Sequence, residues 1–294
     1  MAGAIRKAVF PVAGLGTRFL PATRVLPKEL LPVVDRPLID YAIAEARAAG
    51  IETLIFVTGL DANAELLKSH LNLPGDRRAA FEAKSPDLAP ALAAADLGPG
   101  VAVFVTQEEP LGLGHAVWCA REAVGDEPFA VLLADDLMDA DPPAIGQLIG
   151  AHGTTGGNIV AVEEVRAEDT ARYGILDPGE AAGGLVEVKG LVEKPAPEDA
   201  PSTLGVIGRY VLLPGVFAEL GRFERGAGGE IQLTDALAAM IGTAPFHGLG
   251  ALGRRYDCGS KAGFIAAQIA LALKDPALRG GVQEILRGAG REWE

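Results

Sequence analysis

The residues of this chain that could do chemistry are a few cations and carboxylates set beside glycines. Gly14 and Gly16 are followed by Arg18 and then by Lys28, which is boxed in by Pro27 and Pro32. Glycines let a backbone turn sharply and approach a ligand, and fixed cations after such a turn can cradle a polyphosphate. A tight turn carrying solvated basic residues is the other reading of the same letters. Asp135-Asp136 closes the apolar run Phe129–Ala134. Carboxylates at a strand end suit Mg²⁺ as hard oxygen ligands, and equally suit a turn or a helix cap. Gln107 closes a second apolar run, Val101–Thr106, just before a glycine-rich segment. Its amide can read a pyrimidine edge with donor and acceptor, or simply precede a hairpin. Glu193-Lys194 offers an acceptor for sugar hydroxyls and a point charge for a phosphate, or else an exposed ion pair at a hairpin end.

Two well-known phosphate loops are excluded. The dinucleotide fingerprint needs a third glycine where Phe19 stands, and an acidic residue at the end of the second strand, where Thr58-Gly59 stands. That argues against a nicotinamide-dependent dehydrogenase. The Gly-Lys-Ser/Thr tripeptide of the Walker loop does not follow either.

The elements that must position these residues alternate. Ala8–Ala13 is apolar and short, as one buried strand of an α/β sheet is. Leu38–Ala49 predicts a helix ended by Gly50, and Ile51–Gly59 predicts a second strand, so the opening is a βαβ unit. Residues 61–71 predict another helix, and 72–100 a helical excursion with loops. From Ile159 the pattern changes to hairpins, with turn signals at Asp177-Pro178-Gly179 and Gly183-Gly184. Gly229–Asp235 opens a helix and is read as mainly structural. A further apolar helix runs from Ala262 to Leu273, and an amphipathic tail around Gln283–Arg287 ends near Trp293. That tail is read as a subunit contact or a docked end.

Composition bounds the rest. The chain has 294 residues, 49% hydrophobic and 22% charged, in the ordinary range for one large or two small soluble domains. Its net charge of −13 argues against a nucleic-acid binder, which would carry a basic face. Two distant cysteines, Cys119 and Cys258, lack metal-type spacing and suit a reducing compartment. The first strand begins too early for a signal peptide, and no apolar run reaches the roughly 18 residues of a membrane helix. The expectation is a cytoplasmic protein that binds neither nucleic acid nor membrane.

The string from Lys7 to Pro32 carries Gly14-Leu15-Gly16-Thr17-Arg18, Pro21-Ala22-Thr23 and Lys28-Glu29-Leu30-Leu31-Pro32. It resembles the signature of sugar-1-phosphate nucleotidylyltransferases, in particular the bacterial UTP–glucose-1-phosphate uridylyltransferases. Leu111-Gly-Leu-Gly-His-Ala116, Tyr173-Gly174, Val192-Glu-Lys-Pro195 and Gly229–Asp235 fit the same family in the same order. The resemblance implies an α/β fold: a Rossmann-like three-layer nucleotidyltransferase with a mixed, mainly parallel central sheet flanked by helices, and a β-rich sugar-binding half. The domain would span 1–275, with a nucleotide-binding half at about 1–150, a sugar-binding half at about 151–260 and a C-terminal tail at 276–294.

It also implies roles. Arg18, Lys28 and Lys194 would be the catalytic cations. Ala13, Gly14, Gly16, Thr17, Glu29, Gln107 and Gly112 would bind the nucleotide, with Gln107 and Gly112 at the uracil. Gly174, Glu193 and Lys194 would bind the sugar phosphate. Asp135 and Asp257 would hold Mg²⁺, with Asp136 turned elsewhere by strand alternation, and His115 would pack rather than catalyse. The implied reaction joins UTP and glucose 1-phosphate into UDP-glucose and pyrophosphate, in a homo-oligomer (dimer or tetramer). A glucose-1-phosphate thymidylyltransferase or another hexose-1-phosphate nucleotidylyltransferase is the neighbouring alternative. A non-catalytic sensor on the same fold would lack Lys28 or the carboxylates, and all are present.

Overall fold

Apolar runs with no polar alternation must be covered on both faces, and the opening strand is built that way. In the computed structural model, which describes residues 3–60, 62–98, 100–250 and 253–292, β1 (Lys7–Pro11) lies inside a nine-stranded sheet. The remaining strands are β2 (Pro32–Val33), β3 (Arg36–Pro37), β4 (Thr53–Thr58), β5 (Ala102–Thr106), β6 (Phe129–Leu132) and β7 (Asp136–Asp139). They continue as β8 (Asn158–Glu164), β9 (Gly174–Ala182), β10 (Leu185–Glu193), β11 (Leu204–Leu212), β12 (Phe246–Gly250) and β13 (Arg254–Asp257). Helices α1 (Leu38–Ala48), α2 (Ala62–Leu71), α3 (Gly75–Lys84), α4 (Ala89–Ala95), α5 (Leu113–Cys119) and α6 (Arg121–Val124) belong to the first half. The second half carries α7 (Ala144–Thr155), α8 (Val216–Leu220), α9 (Leu233–Ala239), α10 (Lys261–Lys274) and α11 (Arg279–Glu292). Trp293 lies outside the described residues.

Period-2 alternation splits the core into two layers. Val9, Ile55 and Val131 face one side of the sheet, where Val117 of α5, Leu220 of α8 and Leu237 of α9 cover them. Phe10, Phe56 and Leu132 face the other, under Ile43 of α1, Leu67 of α2 and Leu148 of α7. The result is three layers.

The strand order is β5-β4-β1-β6-β11-β8-β12-β10-β9. From β5 to β6 every pairing is parallel. Beyond β6 the only parallel pair among the described residues is β8–β12, and the pairings of β11, β10 and β9 are antiparallel. The sheet is therefore mixed, but the expectation of a mainly parallel one holds only for the first half. Helical crossovers enforce parallel pairing there, whereas in the second half β9 and β10 form a hairpin and longer connections lay β11 antiparallel between β6 and β8.

A second expectation fails at Asp177-Pro178-Gly179, which does not turn. Pro178 lies within β9, the edge strand, opposite Val188 at an irregularity in the ladder. An edge or a bulge tolerates the missing N–H of proline. The turn is made instead by Gly183 and Gly184, at φ 60° and 84°.

Chain direction explains where ligands can sit. From β1 the chain steps outward to β4 and β5, then crosses back to place β6 on the other side of β1. The crevice at the carboxyl ends of β1 and β6 is thus a topological switch point. Behind it, Arg209 of β11 is buried and its guanidinium reaches Glu45 of α1 at 2.8 Å. Arg209 also donates to Leu133 O, while Glu45 accepts from Ile145 N at the start of α7. This pair ties α1 and α7 to the sheet's midline. Among the described residues no helix is long and apolar enough to cross a membrane.

Candidate active site

The loop after β1 is held by its own polar groups. Gly16 adopts φ 61°, and a Cβ there would come within 3.2–3.3 Å of Thr23 and Lys28. Thr23 donates to Gly16 O at 2.8 Å, so the glycine turn is pressed onto the segment that carries Lys28. Lys28 in turn crosses Gly14, where a Cβ would lie 3.9 Å from Nζ. A cavity of about 630 Å³ opens above this loop. Ala13, Gly14, Gly16, Thr17, Arg18 and Lys28 border it from one side, and Gln107, Gly112 and Asp135 from the others. Glu29 is not on its wall. It is buried beneath the loop, its carboxylate 3.8 Å from Lys28 Nζ, so it meets the cavity through that lysine.

Gln107 is buried, and its amide Nε2 lies 3.2 Å from Gly112 O and 3.0 Å from His115 Nδ1. His115 is accordingly a hydrogen-bonding residue of the loop, also stacked on Trp118. Gly112 takes φ 113°, and a Cβ on it would clash with Ile231 O at 2.9 Å. Only glycine permits this approach. The approach makes the 230–234 segment a wall of the site, whereas sequence reading gave it a mainly structural part.

The phosphate-facing centre is a set of crossed charges. Lys28 Nζ donates to Asp135 Oδ2 at 2.8 Å. Burial alone would lower the Lys28 ammonium, but Asp135 and Glu29 outweigh it and hold it above the usual lysine range. Burial likewise pushes against the charge on Asp135, and Lys28 and Arg18 overcome it, leaving the carboxyl below its ordinary range.

Asp257 arrives from far along the chain because β13 pairs antiparallel with β7, setting Asp257 opposite Asp136. Cys258 N then donates to Asp135 O at 2.7 Å and locks the two strand ends together. A Cβ built on Gly259 would lie 2.9 Å from Asp135 Oδ2, 3.0 Å from Asp257 Oδ1 and 3.3 Å from Arg18 Nη1. Two hard carboxylates thus flank one small cradle, a donor set that fits Mg²⁺ if phosphate oxygens or water supply the rest. Asp136 points away, as alternation predicts. Its carboxylate takes Arg255 at 2.6 Å and Gly208 N at 2.7 Å. Burial opposes the charge on Arg255, yet Asp136 and the Tyr173 hydroxyl more than offset it and raise the guanidinium above its ordinary range.

A second cavity of about 270 Å³ adjoins the first. Gly174, Glu193 and Lys194 border it, with Arg172, Thr234 and Asp257. At Gly174 a Cβ would meet Thr234 Oγ1 at 2.8 Å and Glu193 Oε2 at 3.3 Å, so glycine lets these two side chains pack close there. Lys194 holds the left-handed φ of 49°, rare for a residue with a side chain, while its backbone N donates to Tyr173 O at 2.9 Å. Its ammonium lies 3.0 Å from Glu193. Burial and the nearby Glu193 raise the Asp235 carboxyl, against the pull of Lys194.

Arg18, Leu113, Leu133, Asp135 and Glu230 border both cavities, which therefore communicate. Lys28 and Lys194 are not brought together; one serves each side. A larger groove of about 770 Å³ beside Glu187, Lys189 and His247 contains none of these residues. Arg172, Thr234, Glu230 and Arg255 were missed from sequence. Arg172 directly precedes the Tyr173-Gly174 match, and Glu230 and Thr234 lie inside the Gly229–Asp235 match, which were the available signals.

The nucleotidyl transferase family model matches residues 7–271. A UTP–glucose-1-phosphate uridylyltransferase of Komagataeibacter xylinus is 53% identical over 259 residues, covering 87% of this chain and 90% of the relative. A solved UDP-glucose pyrophosphorylase in complex with UDP-glucose is 40% identical, with a TM-score of 0.84 over 92% of this chain and 100% of that one. A UTP-bound enzyme of the same kind from Acinetobacter baumannii is 36% identical, with a TM-score of 0.86 over 96% and 98% of the two chains.

Proposed function

The chain belongs to the nucleotidyl transferase family, and from that premise we propose that it transfers a uridylyl group from UTP to α-D-glucose 1-phosphate, releasing UDP-glucose and pyrophosphate. The observation that carries this reading is the pair of communicating cavities with Asp135 on their shared wall. A nucleoside triphosphate in the first and a sugar phosphate in the second would meet beside that carboxylate. Relatives named for this reaction, at 53% and 44% identity, support the substrate pair.

A phosphomonoester with a second pKa of about 6 is already largely dianionic at neutral pH, so no general base is needed. One of its oxygens attacks the α-phosphorus in line while the bond to the departing pyrophosphate breaks, with no covalent enzyme intermediate. The barrier is repulsion between anions. Arg18 and Lys28 would bind the triphosphate, Arg18 with its two-pronged fork, and Lys194 would orient the sugar phosphate. Ala13, Gly14, Gly16 and Thr17 would supply close backbone, Gln107 and Gly112 the uracil edge, and Glu29 would steady Lys28 from below. Gly174 and Glu193 would receive the hexose. Asp135 and Asp257 would hold Mg²⁺, which when bound would neutralise phosphate charge.

The nucleotide half would span about 1–150 and the sugar half about 151–260. The exposed apolar side chains Ile265, Ile285 and Leu286 on α10 and α11 favour a homo-oligomer built on residues 276–294 and their surroundings.

The test is pyrophosphate release over a grid of UTP and dTTP against several hexose 1-phosphates. UTP with glucose 1-phosphate is expected to turn over fastest. UTP and dTTP differ by the base methyl and the ribose 2′-hydroxyl; the methyl alone is worth about 10–200-fold, so the UTP preference should reach at least about tenfold. A clear preference for dTTP would reassign the chain as a thymidylyltransferase.

A further inference from the structure

Arg172 lies on a carboxylate of the candidate centre. Its Nη2 donates to Asp257 Oδ2 at 2.7 Å, and its Nη1 to Asp169 Oδ1 at 3.4 Å. Asp257 is the carboxylate that, with Asp135, flanks the Gly259 cradle. Two cations therefore have a claim on one carboxylate: the guanidinium seen there, and the divalent ion that the proposed function assigns to it. Like charges a few ångströms apart exclude each other unless further anions are present.

Lys28 on Asp135 poses the same question and answers it differently. Its ammonium is wedged between Gly14, Glu29 and Asp135, with its side chain 24% exposed. Arg172 ends a short 3-10 turn (Ala167–Arg172), and its side chain is 48% exposed. It rests over the Tyr173 ring at 5.6 Å. A side chain tethered at one end and half in solvent can swing off its partner without breaking the core. Asp257 does not depend on it for position, since Oδ1 accepts Gly259 N at 3.1 Å and Ser260 holds the backbone that follows.

We infer that Arg172 is an exchangeable counter-ion of Asp257, competing with the divalent cation for that carboxylate. Arg172 keeps the affinity of the substrate-free chain for divalent ions low, so that the cation enters together with the phosphates that can accept the displaced guanidinium. The inference rests on the metal-holding roles proposed for Asp135 and Asp257.

The experiment is Mn²⁺ binding, read by electron paramagnetic resonance of free Mn²⁺, on full-length chain stripped with EDTA and free of substrates. Arg172→Met should bind Mn²⁺ roughly tenfold more tightly than the unmodified chain, as expected for removing one positive charge at about 5 Å in a solvated site. Arg172→Lys, which keeps the charge, should stay near the unmodified affinity. Asp257→Asn should bind far more weakly. Unchanged or weaker binding in Arg172→Met, with Asp257→Asn still impaired, overturns the counter-ion role alone. Unimpaired binding in both Asp135→Asn and Asp257→Asn overturns the metal reading beneath it. Far-UV circular dichroism on each variant separates these outcomes from misfolding.

Discussion

At the scale of single residues, the site is a set of charges that would be costly apart and are stable only in each other's company. Lys28 and Asp135 illustrate it: burial works against both, and each holds the other in its charged form. The signs give a pH dependence. The depressed Asp135 carboxyl contributes stability above its unfolded value near about 3.9, and that contribution fades as pH falls through the lower folded value. The raised Lys28 ammonium contributes below about 10.4 and fades as pH rises beyond it. The stability gap between the unmodified chain and Asp135→Asn should therefore be flat from about pH 5 to 9 and shrink below about pH 4. Thermal unfolding across that range measures it; a gap undiminished at pH 3 would rule the pair out. Lys194 is tested by kinetics, because its half-exposed ammonium adds little to stability. Loss of one charge-assisted hydrogen bond, roughly 1.5–3 kcal/mol, should raise the KM of glucose 1-phosphate about 10–100-fold in Lys194→Ala. The KM of UTP should move by less than about twofold. The reverse pattern would mean that the two lysines serve the opposite substrates.

At the scale of elements, two contacts carry the arrangement. The short β7–β13 ribbon turns two carboxylates 122 positions apart in sequence into neighbours across Gly259. The buried Arg209–Glu45 pair anchors α1 and the start of α7 behind the strand ends from which the site projects. Removing one partner of a buried, hydrogen-bonded pair leaves an uncompensated charge and costs about 3–5 kcal/mol. Glu45→Ala should lower the free energy of urea unfolding by that amount. A loss under about 1 kcal/mol would mean that water reaches Arg209 and the anchor is weak. Replacing both partners with apolar residues of similar size should recover much of the loss, since the desolvated charges go together.

At the scale of the whole molecule, one sheet joins a parallel half to an antiparallel half, and the site straddles the seam at β1, β6 and β11. The proposed homo-oligomer belongs here. Ile285→Glu with Leu286→Glu should drop the mass found by light scattering toward the 30.4 kDa of one chain; an unchanged multiple would move the interface elsewhere. Local information was enough for much of the fold: apolar runs announced β1, β4, β5 and β6, and periodicity with terminal glycine announced α1. The glycine loop, Gln107 and Asp135 stood out as candidates because each follows an apolar run in its own segment, and Lys28 because Pro27 and Pro32 box it in. The failures were non-local. Asp177-Pro178-Gly179 reads as a turn until the edge position of β9 makes proline acceptable there. Arg172 stands outside every motif, and Thr234 sits in a string read as mainly structural, until folding sets them around Gly174 and Asp257. The sequence by itself determined many of the strands and helices, β1, β4, β5, β6 and α1 among them, and the residue types at their ends, because those follow from neighbours in the chain. Only the tertiary structure decided which end meets which. The β7–β13 pairing, the crossing of Lys28 onto Asp135 and of Arg172 onto Asp257 depend on packing between distant segments, and no local pattern encodes it.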